Sequence, residues 1–148
     1  PLSNPTSRAE ALPKDLLEWT EGRALVACGS PFEPVQIGDR IIPISQCNNS
    51  YIFPGVGLGI VAGKAKRVTD KMMMAAAVAL SELSPAMGSG EGCLLPELTI
   101  IRDVSKHIAK AVILQAILEG HVEKMSNAEI DAAIETTMWV PKYDTFSC

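Results

Sequence analysis

The chain has 148 residues, 47% of them hydrophobic, and a mean hydropathy of +0.19, which suits one packed domain. Its 17 acidic and 13 basic residues give a net charge of -4 with no basic run, which argues against a nucleic-acid partner. The apolar stretches 51–62 and 111–118 are interrupted by Pro, Gly or polar residues, and they fall short of the roughly 18 apolar residues a membrane span needs.

The start, Pro1-Leu2-Ser3-Asn4-Pro5-Thr6, has no initiator Met, charged segment or apolar signal core, and reads as a cut made inside a longer chain. Ser7-Arg8-Ala9-Glu10 has capping-box spacing. Leu12, Leu16, Leu17 and Trp19 form an imperfect stripe, so short helical structure is expected over 8–21, ending at Gly22. The compact apolar run Arg23-Ala24-Leu25-Val26-Ala27-Cys28, closed by Gly29-Ser30-Pro31, predicts a buried parallel strand. With prolines at 31, 34 and 43 and little periodicity, residues 31–50 read as loop with one short extended piece over 40–44.

Four helices follow. Pro54 suits a first helical position, and the small residues after it predict a closely packed, buried helix over 54–65. Thr69 is a good N-cap for 70–83, after which Pro85, Gly88, Gly90 and Gly92 make a loop. Ile101, Val104, Ile108 and Val112 give 100–119 a helical stripe that Gly120 terminates. Ser126 and Glu129 form a capping box for 127–138, whose face is Ile130, Ala133, Ile134, Thr137 and Met138. One strand, or two if Pro1 to Ser3 ends another, cannot cover both faces of a doubly wound sheet. The expected fold is therefore α/β: the C-terminal portion of a Rossmann-like doubly wound domain, mostly helical, with one or two parallel strands.

Several residues invite functional readings that the pattern does not support. Cys28, Cys47, Cys93 and Cys148 lack zinc spacing, and Cys28 has no positive partner in sequence reach that would make it a nucleophile. Gly55, Gly57, Gly59 and Gly63 have the wrong spacing for a dinucleotide fingerprint and suit helix packing better. His107 and His121 have no second ligand three or four residues away, so they fall to surface or core roles. Lys64, Lys66 and Arg67 could meet a phosphate, yet a solvated helix end explains them equally well. Met72-Met73-Met74 reads as core and interface filler.

Three segments could meet at one crevice. Asn4 precedes a proline that restricts its backbone, Gly29-Ser30 follows a strand, and Asn48-Asn49 precedes a helix start that favours anions. In open α/β sheets ligands bind beyond the carboxyl ends of the strands. An asparagine NH2 group donates to a carboxylate without adding charge, so it orients a substrate and does not react with it. The competing reading, favoured by the residues alone, is that Asn-Pro and Asn-Asn-Ser are ordinary turn formers.

The ordered blocks Leu2-Ser3-Asn4-Pro5-Thr6-Ser7, Trp19-Thr20-Glu21-Gly22-Arg23-Ala24, Gly29-Ser30-Pro31-Phe32 and Gln46-Cys47-Asn48-Asn49-Ser50-Tyr51-Ile52-Phe53-Pro54-Gly55 resemble the C-terminal region of the malic enzymes. Leu95-Pro96, the helix holding Ser105 and Ile108-Ala109, and Trp139-Val140-Pro141-Lys142-Tyr143 continue the likeness, with Tyr143 read as a packing or subunit contact. The resemblance implies oxidation of malate by NAD, or NADP, and decarboxylation to pyruvate, assisted by Mg or Mn. Carried over, Asn4 and Asn49 are candidate substrate contacts, and Asn48, Gly29 and Ser30 candidate cofactor contacts, with the choice between Asn48 and Asn49 open.

The family's catalytic Tyr and Lys, its metal carboxylates and its phosphate-binding glycine loop have no counterpart here and are expected upstream. The chain alone is accordingly expected to be inactive, with 1–66 as strand and loop segments facing the ligands and 67–148 as a helical segment. Its implied partners are malate or pyruvate, the remainder of the enzyme chain and further copies in a homo-oligomer. The wording around Gln46-Cys47 resembles bacterial members, which implies a cytoplasmic location. Two alternatives stand beside this reading: the related malolactic enzymes, which yield lactate, and a helical interaction module without catalysis.

Overall fold

The computed structural model describes residues 1–88 and 92–141. Gly90, Lys142, Tyr143 and Cys148, singled out above, lie outside them.

The first helical region is shorter than its sequence suggests. Thr6–Arg8 forms a single 3-10 turn, and helix α1 runs only from Pro13 to Trp19. Pro13 has no N–H and occupies the first helical position, so the helix begins there. Ser7 and Glu10 make no capping box; the Glu10 carboxylate instead accepts from the Ser3 backbone N–H at 3.3 Å and its hydroxyl at 2.6 Å. On so short a helix Leu17 reaches the core, while Trp19 projects outward and is 71% exposed.

The predicted strand over 23–28 pairs only at its end. Strand β1, Ala27–Cys28, lies parallel to a second strand, Ser45–Gln46, and the ladder is extended by Ser45 N–H to Val26 O and Cys47 N–H to Cys28 O at 2.7 Å. Only one face is buried: Val26 and Cys28 point into the core, whereas Leu25 is 42% exposed. Between these two strands the expected loop contains a hairpin of Val35–Ile37 (β2) and Arg40–Ile42 (β3), which makes Ser45–Gln46 β4. Gly38, at φ +59°, supplies the left-handed turn residue that joins β2 to β3. Leu17, Val26 and Cys28, with Phe32, Val35, Ile37 and Ile42 around them, form a small core under these strands.

The helices follow the sequence more closely. Helix α2 spans Phe53–Gly63, α3 Asp70–Glu82, α4 Ile101–Leu118 and α5 Asn127–Thr137. The Thr69 hydroxyl accepts from Met72 N–H to cap α3, and the Ser126–Glu129 capping box is formed in full. Gly120, at φ +73°, ends α4. Helix α4 is the centre of the larger core: Val104, Ile108, Val112, Ile113 and Ala116 are fully buried against α2, α3 and α5.

The glycines of α2 serve packing. A Cβ on Gly55 would sit 2.7 Å from Ile108 Cβ, and one on Gly59 would sit 2.8 Å from the Ala109 carbonyl oxygen, so α2 rides almost backbone to backbone on α4. The Met run divides: Met72 is fully buried and Met74 is 65% exposed. Tyr51 anchors the helical layer to the loop before α4, its buried hydroxyl donating to Pro96 O at 2.6 Å.

Candidate functional site

An open cavity of about 330 Å³ lies where β1 and β4 end, lined by Leu2, Asn4, Gly29, Cys47, Asn48 and Asn49. Being parallel, the two strands put their carboxyl ends on the same rim, the place where ligands bind in open α/β sheets. Gly29 N–H donates to Pro1 O at 2.9 Å, which ties the segment carrying Asn4 to the end of β1. The approach is too close for any side chain, because a Cβ on Gly29 would lie 2.1 Å from Leu2 O.

All three predicted asparagines therefore meet at one cavity, and all are exposed. Two have their side-chain oxygens engaged by the protein. Asn4 Oδ1 accepts from the Ser30 hydroxyl, and Asn48 Oδ1 accepts from Ser50 N–H at 2.9 Å. What those two present to a ligand is the NH2 donor. The Asn48-Asn49 pair, expected just before a helix start, is followed first by a 3-10 turn: Asn48 caps the turn Asn49–Tyr51, and α2 begins after it. Ser30 itself is not on the cavity wall: it is 5% exposed, and its hydroxyl is used by Asn4.

The wall carries no carboxylate, no imidazole and no ammonium group; apart from the Cys47 thiol its polar side chains are the neutral amides of the three asparagines. Cys28 is fully buried, and that burial pushes its thiol above its ordinary pKa, which disfavours the thiolate a nucleophile needs. Three contributors had no site role in the sequence reading. Leu2 and Cys47 line the cavity. Glu10 stiffens the segment beside Asn4 through Ser3, and the hydrogen bond from the Ser3 side chain, first among the causes, lowers its carboxyl from 4.5 to about 2.

A larger groove of about 510 Å³ runs between α3 and α4, with Met74, Val78, Leu114 and the His107–Glu82 pair on its walls. It lacks the convergent strand ends that mark the first site. Among the described residues no group of three or more His, Cys, Asp or Glu side chains is placed to hold a metal ion. A Mg or Mn ion thus finds no fitting ligand set among them. For a dinucleotide, the cavity offers amide donors and a glycine with no room for a side chain, features that fit one polar end of such a molecule.

Comparison with known proteins decides the family. The malic enzyme, NAD binding domain family matches residues 1–117. The chain belongs to this family. It is 57% identical over 146 residues to an NAD-dependent malic enzyme of Pseudomonas aeruginosa, covering 99% of this chain and 26% of that one. An NAD-dependent malic enzyme of Shewanella pealeana is 58% identical over 146 residues, with the same coverage of 99% and 26%.

Solved structures agree in fold. A malic enzyme from Pyrococcus horikoshii matches with a TM-score of 0.63 and 25% identity over 86% of this chain and 26% of its own. One from Entamoeba histolytica matches with a TM-score of 0.64 and 27% identity over 86% and 24%. The chain is thus a portion of a Rossmann-like malic enzyme domain and spans about a quarter of the length of the curated relatives it matches.

Proposed function

We propose that this chain acts within an NAD-dependent malic enzyme, in which malate is oxidised and decarboxylated to pyruvate, and that it forms the donor-lined wall of the malate and nicotinamide site. The observation that carries the reading is the convergence of Asn4, Asn48 and Asn49 on one cavity at the ends of parallel strands. Membership of the malic enzyme NAD-binding domain family and 57% identity to an enzyme named NAD-dependent support the cofactor.

In this reading residues 1–66 carry the ligand-facing segments, with α2 at their end packed on α4, and the described residues from 67 onward form the helical segment behind them. Asn4 and Asn49 donate from their NH2 groups to malate oxygens, and the neutral amides leave the charge of neighbouring acids and bases undisturbed. Asn48 and Gly29 face the nicotinamide end, and Ser30 belongs to the same cofactor-side loop. Bound NAD supplies the hydride acceptor; this chain supplies orientation, and the acid, the base and the Mg or Mn ligands come from other parts of the enzyme. Alone, the chain is inactive. Half-exposed apolar residues on α3 and α4, such as Val78 and Leu114, support association with other parts of the enzyme or with further copies in a homo-oligomer. The wording around Gln46-Cys47 supports a bacterial, cytoplasmic enzyme, and no helix among the described residues is long and apolar enough to cross a membrane.

The test is steady-state kinetics on the full-length enzyme. Losing one donor to a carboxylate is worth roughly 1.5–3 kcal/mol, or on the order of tenfold to hundredfold in kcat/KM. Asn4→Ala and Asn49→Ala are expected to lower kcat/KM for malate by that factor, and Asn48→Ala to raise KM for NAD. Unchanged malate kinetics in both of the first two variants would remove the malate assignment. Release of free NADH with pyruvate, as opposed to lactate, separates this activity from malolactic conversion.

A further inference from the structure

We propose that Ser30 is a positioning residue for malate, acting through Asn4 and not by touching substrate or cofactor. The proposal rests on the reading of the cavity as the malate site. Ser30 follows β1 and is 5% exposed, and its hydroxyl donates to Asn4 Oδ1 across 26 residues of sequence. Asn4 is exposed and lines the cavity, whereas Ser30 does not.

The direction of that bond decides what malate meets. A carboxamide turned by half a circle about its last bond exchanges its oxygen for its NH2 group, and the oxygen would repel a carboxylate. The buried Ser30 hydroxyl has no other acceptor among the described residues. Turning the amide would therefore strand its proton in a buried position, which is unfavourable. Ser30 thus selects the rotamer in which Asn4 offers its nitrogen to the cavity. The frame behind the pair is tight: Gly29 N–H holds Pro1 O at 2.9 Å, Gln46 Nε2 donates to Gly29 O at 3.4 Å, and Gly29 leaves no space for a side chain beside Leu2. These contacts fix the backbone beside the pair, at Gly29 next to Ser30 and at Pro1 and Leu2 ahead of Asn4, and the Ser30 hydroxyl then sets the rotation of the amide.

The experiment is a double-mutant cycle in the full-length enzyme, read as kcat and KM for malate and for NAD separately. Ser30→Ala is expected to lower kcat/KM for malate on the order of tenfold to hundredfold while leaving KM for NAD unchanged. In an Asn4→Ala background the same substitution is expected to have no further effect. Ser30→Thr keeps the hydroxyl and is expected to recover most of the loss. If Ser30→Ala compromises folding, as read by Tm, Ser30→Cys, similar in size but a far weaker donor, takes its place in the cycle. Multiplying losses in the double variant overturn the proposal, as does a rise in KM for NAD with malate kinetics intact, which marks a direct cofactor contact. A silent Asn4→Ala overturns the proposal as well, and a silent Asn49→Ala beside it overturns the malate reading itself; both results are distinct from a damaging Asn4→Ala whose effect adds to that of Ser30→Ala.

Discussion

Two glycines two residues apart on α2 should respond differently to the same substitution. Gly59→Ala places a methyl group 2.8 Å from the Ala109 carbonyl oxygen and 2.9 Å from Val112 Cβ, and neither is the far end of a flexible side chain. Gly57→Ala meets nothing within 4 Å. Both gain the helix propensity of alanine, about 1 kcal/mol, so this gain cancels in the comparison and leaves the overpacking cost, about 1–3 kcal/mol. Gly57→Ala is thus expected to stabilise by up to about 1 kcal/mol, and Gly59→Ala to be less stable than it by about 1–3 kcal/mol. In urea unfolding followed by circular dichroism, that difference separates the midpoints on the order of 1 M. Coincident midpoints, or a more stable Gly59→Ala variant, would refute the claim that α2 and α4 touch through their backbones.

Other outcomes follow from single contacts. Glu10→Gln removes the carboxylate that holds Ser3. Because its folded pKa, about 2, lies below the ordinary 4.5, its contribution is present above about pH 4.5 and is lost as the pH falls toward 2. The variant is expected to lose stability at neutral pH and to show a flatter acid-unfolding profile between those values; an unchanged profile would dissociate Glu10 from Ser3. Tyr51→Phe removes the buried donor to Pro96 O and is expected to cost about 1–3 kcal/mol of unfolding free energy, with the loop before α4 the first region to lose amide-exchange protection. Full protection at 93–97 in that variant would contradict the anchoring role.

Local chemistry announced some elements and long-range chemistry governed others. Thr69, Ser126 with Glu129, and Gly120 marked their helix ends because a cap is made within a few residues of itself, and the i, i+3, i+4 pattern of α4 requires only that one face be covered. Ser7 and Glu10 carried the same signal, yet Glu10 bonds to Ser3 and the helix waits for Pro13. A backward-reaching carboxylate and a forward-reaching cap have the same spacing, and the proline outside the box decided between them. The β2–β3 hairpin did have a local signature, Val35-Gln36-Ile37 and Arg40-Ile41-Ile42 around Gly38-Asp39, which the prolines at 34 and 43 obscured.

The cavity needed more than local pattern. Asn4 and Asn48 are 44 positions apart, and both sit in sequences that make good turns whether or not a ligand is near. Their meeting depends on β1 and β4 being parallel, which brings Gly29 and Cys47 to one rim, and on Gly29 having no side chain, which lets Leu2 and Asn4 close against it. Turn formation and donor placement are in fact the same arrangement here. Asn48 caps its 3-10 turn with the oxygen of its amide, and that use of the oxygen is what leaves the nitrogen for a ligand. Ser30 does the same for Asn4 from a buried position. A turn-forming asparagine and the ligand-binding asparagine proposed above are thus compatible at this site: the fold occupies one end of the amide and leaves the other end free to donate.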